Sequence, residues 1–212
     1  MTRRHMARTA LSCTIALGLS IAGAGAIGTG PQTDNGPLAV GGRISIEGTS
    51  NIHEYTASTS AVRVTRVQLA SSVAGPAFWE EIVKPGAVEA FDIAVASATL
   101  SSPKEGVDKN MHKALKVTEH EDITFHLRRL EPRPGATGGL RGIGILQIAG
   151  VEREVTLNLT TERKGATLAV HGQVDILMTD FGITPPKALL GMLKTDPKVT
   201  ITFDTLLSMR QT

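Results

Sequence analysis

The stretch GILQIAGVEREVTLNL, residues 144–159, decides the fold class. Val155, Leu157 and Leu159 alternate with Thr156 and Asn158, the period-2 pattern of a strand with one buried and one wet face. Ala149-Gly150 separates this run from an earlier one, Leu140–Ile148, and reads as hairpin punctuation. Two adjacent one-sided strands joined by a tight turn belong to an antiparallel sheet.

The same period extends outward in both directions. Ile44 and Ile46 alternate with Ser45 and Glu47, and Val62, Val64, Val67 and Leu69 alternate with a slip at Thr65-Arg66 that predicts a bulge. Phe91–Val95 and Ile123–Leu127 follow; beyond the hairpin come Leu168–Met178, after a Lys164-Gly165 turn, and Val199–Leu207. Eight strands in sequential order predict an all-β protein, an eight-stranded antiparallel barrel. Helical spacing is confined to short pieces at 76–83, 107–117 and 185–193, expected at the barrel ends. In the last, Pro185-Pro186 interrupts the strand pattern, and Leu189, Leu190 and Leu193 fall at helical spacing as a lid or a core cap.

The N-terminus carries a different signal. MTRRHMAR is basic, the following twenty residues are uncharged and apolar, and Ala22-Gly23-Ala24 and Ala24-Gly25-Ala26 fit small-x-small cleavage. This predicts a secretory signal over 1–26, a linker over 27–41 and a barrel domain over 42–212, with a periplasmic or secreted product and no stable membrane span after cleavage; the alternative is an uncleaved anchor helix, since the apolar stretch approaches spanning length. Without Arg3, Arg4 and Arg8 the 22 basic residues become 19 against 20 acidic ones, a net charge of −1. Nucleic acid is therefore not an expected partner. The single cysteine, Cys13, lies in the signal, so the mature chain has neither disulfides nor a thiol nucleophile. A homodimer is compatible with the sequence.

Catalytic signatures are missing: there is no G-x-S-x-G, no H-E-x-x-H and no phosphate-binding glycine loop. His126 and His171 fall on the polar phase of their strands. His53, His112 and His120 are the only histidines that could be drawn around a metal, and no metal ligand, cofactor or catalytic residue is expected. With aromatics at 3%, the barrel interior is aliphatic, either self-filled or open to an apolar ligand.

GTSNIHEYTAST (48–59), VDKNMHKALKVTEHEDITFHL (107–127), GILQIAGVEREVTLNL (144–159) and VDILMTDFGITPPKALLGMLKTDPKVTITFDTLL (174–207) together resemble the YceI family of bacterial exported proteins, in order and spacing. The resemblance implies a lipocalin-like barrel and a non-enzymatic protein that holds a polyisoprenoid or quinone-like chain as its apolar lipid ligand. The side chains expected around that ligand are Phe91, Met111, Leu115, Phe125, Phe181, Leu189, Leu190, Met192 and Leu193. Asn51, His53, Tyr55, Lys109 and His112 are the expected head-group contacts at the mouth. The runner-up readings are a stress-related or structural barrel without a small ligand and, behind it, a lipid-modifying enzyme.

Overall fold

The computed structural model describes residues 37–135, 139–188 and 193–210. Ten strands account for most of them: β1 (Leu38–Ser50), β2 (Glu54–Thr59), β3 (Val62–Leu69), β4 (Val88–Ala96), β5 (Asp122–Pro132), β6 (Gly139–Ile148), β7 (Val151–Lys164), β8 (Thr167–Leu177), β9 (Lys187–Ala188) and β10 (Leu193–Met209). Nine of them form one antiparallel ladder in the order β2-β1-β10-β8-β7-β6-β5-β4-β3, while the two-residue β9 pairs only with β10. The chain runs as a meander from β3 to β8. It then returns through β10 to bond β1, so the N-terminal strand is held between β2 and the C-terminal strand.

The expected hairpins are present. Ile148 pairs with Val151 across Ala149-Gly150, and both turn residues have positive φ, 49° and 80°. A two-residue turn of that hand matches the twist of the strands it joins. The bulge expected at Thr65-Arg66 is the register shift between Val64 and Arg66.

Three expectations are corrected. The ladder has nine strands rather than eight, because Glu54–Thr59 forms β2. Its inward side chains are Tyr55, Ala57 and Thr59, and a period carried by one large apolar group is hard to see. Thr59 is buried on a hydroxyl contact with Thr99 Oγ1 at 2.7 Å rather than on hydrophobicity. Second, β1 begins at Leu38, within the span read as linker, and Leu38–Gly41 pair with Leu206–Met209. Third, 185–193 does not read out as a helix at its described ends: Ala188 pairs with Leu193 and Lys187 with Lys194. Prolines fix an extended approach and exclude the preceding residue from helical backbone. The Pro186 carbonyl then accepts the Thr195 amide at 3.2 Å, continuing the hairpin. Leu189, Leu190 and Met192 lie outside the described residues.

Pro197 sits inside β10 without breaking it. Between Gly48↔Val199 and Ser50↔Thr195 the register slips, leaving the proline on a bulge where no ladder hydrogen bond is needed. Asp196 Oδ1 accepts the Lys198 amide at 2.8 Å and steadies that bulge.

The sheet is curled. Val62 of β3 and Val40 and Ile44 of β1 line one chamber although six strands lie between them in the ladder. A buried cluster around Leu100, Phe125, Leu146 and Phe181 occupies one part of the interior. A second, around Leu38, Trp79 and Leu168, closes one end. Two α-helices are present among the described residues. The four-residue α1 (Phe78–Glu81) belongs to the second cluster through Trp79. Helix α2 (Glu105–Leu115) packs Met111, Ala114 and Leu115 on the first. Acidic Glu105 and Asp108 in its first turn and basic His112 and Lys113 in its last complement the helix dipole. Lys116, in the left-handed conformation at φ 52°, ends it.

Candidate functional site

Inward-facing residues follow strand parity: Ile123, Phe125 and Leu127 on β5, Phe91, Ile93 and Val95 on β4, Val199 to Leu207 on β10. Two chambers open between them. The larger, about 380 Å³, lies under α2 and against the Met178–Phe181 turn, lined by Val107, Met111, Ala114, Phe181 and Ile183 among others. Its volume falls in the range of ligand pockets, about 300–1,000 Å³. The smaller, about 160 Å³, lies deeper in the curl against Ile44, Phe91, Val170 and Phe203. Ile46, Ile123 and Ile201 line both chambers and form a waist between them.

Part of this space exists because glycines stand at inward positions. An added Cβ at Gly144 would meet the Phe125 ring at 2.5 Å, and one at Gly172 would meet the Phe203 ring at 2.4 Å. Each ring lies across the neighbouring strand's glycine, a cross-strand arrangement that a side chain would forbid.

The described lining of the deep chamber is almost wholly aliphatic and aromatic. Its two hydroxyls are engaged within the sheet: Thr205 Oγ1 donates to the Val170 carbonyl at 3.1 Å and Thr124 Oγ1 to Gln147 Oε1 at 3.4 Å. Polar groups collect instead at the outer chamber, where Ser50, His53, Tyr55, Lys104, Asn110, Lys187 and Thr195 are among the lining and, among the described residues, no carboxylate is. Burial, and secondarily the Asp196 charge, pushes the Tyr55 phenol above its usual value of 10.0. Ser50 Oγ donates to the His53 carbonyl at 2.8 Å and accepts the His53 amide at 3.1 Å, which fixes the loop carrying the imidazole.

The residues singled out from sequence separate into groups. Met111, Leu115, Phe181, His53 and Tyr55 line the outer chamber; Phe91 and Phe125 line the deep one. Asn51 lies beside the mouth and ties its loop to β10, with Oδ1 accepting the Lys194 amide at 2.9 Å. His112 is scaffold: its Nε2 contacts the Leu100 carbonyl at 2.8 Å. Lys109 is exposed on α2 and does not line the cavity. Leu193 is the first residue of β10. Sequence reasoning missed the waist isoleucines and the rim residues Lys104, Asn110 and Lys187. The isoleucines were legible as strand parity, but nothing in one dimension shows which core residues border empty space.

Among the described residues no three His, Cys, Asp or Glu side chains gather as a metal site. His126 Nδ1 instead faces Asp92 at 3.2 Å and His171 Nδ1 faces Asp204 at 2.6 Å, both half-exposed on the outer face. No helix among these residues is long and apolar enough to cross a membrane.

No curated protein matches the chain by sequence. Solved structures do match in fold. BcnA of Burkholderia cenocepacia has a TM-score of 0.61 at 14% identity, over 79% of this chain and 96% of that one. A polyisoprenoid binding domain from Saccharophagus degradans, implicated in plant cell wall breakdown, has a TM-score of 0.57 at 10% identity, over 82% and 99%. The YCEI protein of Campylobacter jejuni has a TM-score of 0.51 at 12% identity, over 77% and 85%. The YceI-like domain family matches residues 38–207, the span from the first residue of β1 almost to the end of β10. With that match over most of its length and a curled, lipocalin-like antiparallel sheet to go with it, the chain belongs to the YceI family.

Proposed function

We propose that this protein binds an apolar lipid, a polyisoprenoid or quinone-like chain, inside its curled sheet and carries or stores it without chemical change. The observation that carries this reading is the deep chamber, set beyond an aliphatic waist and lined almost wholly by aliphatic and aromatic side chains, with the protons of its two threonine hydroxyls engaged in the sheet. Such a site recognises length and apolarity. Burial contributes about 0.8 kcal/mol per CH₂, so a few prenyl units give on the order of 10 kcal/mol, comparable to the roughly 4–15 kcal/mol cost of association. A head group would rest at the outer chamber among His53, Tyr55, Lys104 and Lys187. The Saccharophagus domain of the same fold, described as polyisoprenoid binding, supports the ligand class. The basic, then apolar, then small-residue N-terminus supports export to the periplasm, where a water-insoluble lipid needs a carrier.

The test is solvent extraction of the protein purified from its native host, followed by mass spectrometry. A prenyl or quinone-type lipid in stoichiometric amount is expected. An extract without apolar lipid, from folded protein that also fails to take up an added prenol, would overturn the reading.

A further inference from the structure

The deep chamber has a floor. Phe91, Val170 and Leu207 line that chamber and also pack on the second buried cluster, formed by Leu38, Val73, Trp79, Ile82, Ala87 and Leu168. Trp79 enters this cluster from the excursion between β3 and β4, which carries α1. The excursion is closed at its base by the Ala70 amide donating to the Ala87 carbonyl at 2.9 Å. Trp79 meets Phe78 edge to face, ring centres 5.0 Å apart, and an ion pair between Glu80 and Arg163 ties α1 to β7.

Resting on the lipid-binding reading above, we infer that this Trp79 excursion is an end-stop that sets the longest chain the cavity takes in full, making the protein selective for chain length. Ser50 at the outer chamber and Val40 at the deep one are ten residues apart on β1. At about 3.3 Å per residue they lie about 33 Å apart along the strand, which a strand tilt of about 40° reduces to about 25 Å of depth. Three bonds of extended chain advance about 3.8 Å. A prenyl unit of four bonds therefore takes about 5 Å, and about five units fill the depth. A further unit stays at the mouth in water and adds little.

The experiment uses delipidated full-length protein and linear prenyl alcohols of increasing length, with binding followed by native mass spectrometry and by Trp79 fluorescence. Trp79 is the only tryptophan in the chain, so its emission reports the floor alone. Affinity is expected to rise steeply, by up to about three orders of magnitude per fully buried unit, up to about five units and then level off. Trp79 emission should change only with chains long enough to press on the Phe91, Val170 and Leu207 floor above it. Val170→Phe, which fills part of the deep chamber, should move the limit at least one unit shorter. Phe91→Ala should move it longer. An unmoved limit in both folded variants, or affinity that keeps climbing past the limit, would overturn the end-stop. If a variant does not fold, Trp79 emission in the unaltered protein decides: a signal from short and long alcohols alike overturns it. Failure of every alcohol to bind would instead remove the lipid-binding reading, and the end-stop with it.

Discussion

Filling the outer chamber distinguishes an open interior from a packed core. Ala114 faces that chamber from α2, half-buried. In a core of native density, Ala114→Phe would overpack and cost about 1–3 kcal/mol. Against about 380 Å³ of open space, the ring instead gains apolar burial of roughly 1.5–3 kcal/mol. Lower helix propensity removes about 0.5 kcal/mol, and lost rotamer freedom up to about 1 kcal/mol. The net change runs from near zero to about 2 kcal/mol of stabilisation. A domain of this size shifts by about 2–4 °C per kcal/mol, so the melting point of delipidated protein should stay level or rise by up to about 8 °C. Lipid uptake should fall, because the ring occupies the route to the waist. The assay pairs thermal melting by circular dichroism with quantification of bound prenol. A fall of more than about 4 °C with uptake unchanged would refute the open cavity.

Other substitutions test single contacts. Gly182 ends the Met178–Phe181 turn at φ 67° with only Val151 near its missing Cβ. Gly182→Ala should therefore cost about 1–2 kcal/mol from backbone strain alone, read as a lowered melting point. At Gly172 a Cβ would stand 2.7 Å from the Asn158 carbonyl oxygen as well as against Phe203; Gly172→Ala should cost about 1–3 kcal/mol. The Cβ of Gly142→Ala has only side-chain atoms as its nearest neighbours, Leu159 at 3.2 Å, Leu127 at 3.3 Å and Leu157 at 3.8 Å, and the change should cost less; equal melting points for the two would contradict this. Tyr55 is the only tyrosine, so ultraviolet titration reads it directly and should give a midpoint above 10, lowered but not normalised by Asp196→Asn because burial is the larger cause. The folded state holds this proton more tightly than the unfolded chain. Its stabilising contribution is therefore present below pH 10 and lost as pH rises through the raised folded value. Mass spectrometry of the exported protein should find its N-terminus near Ala24–Ala26, and an intact Met1 in the cytoplasm would contradict the export expectation.

Fold class was legible because strands announce themselves by parity. Val155-Leu157-Leu159, Ile123-Phe125-Leu127 and Phe91-Ile93-Val95 each place their large apolar groups on one face whatever the tertiary context, and Ala149-Gly150 marks a tight turn locally. Where burial rests on small or hydroxyl side chains, as at Ala57 and Thr59 of β2, that signal fades and the strand was missed. Leu189, Leu190 and Leu193 have helical spacing, yet the backbone on either side pairs as a hairpin, because Pro185-Pro186 and the Thr195–Pro186 hydrogen bond act first.

The site was legible only as chemistry. An aliphatic, thiol-free, motif-poor interior limits what it can hold, and that much follows from residue types alone. Which residues border open space depends on how far the sheet curls before β1 comes to face β3, a property of nine strands together rather than of any one. The inward glycines 144 and 172 make the point. In sequence they are weak positions in a strand; only when the neighbouring Phe125 and Phe203 rings lie over them do they become the shape of the chamber.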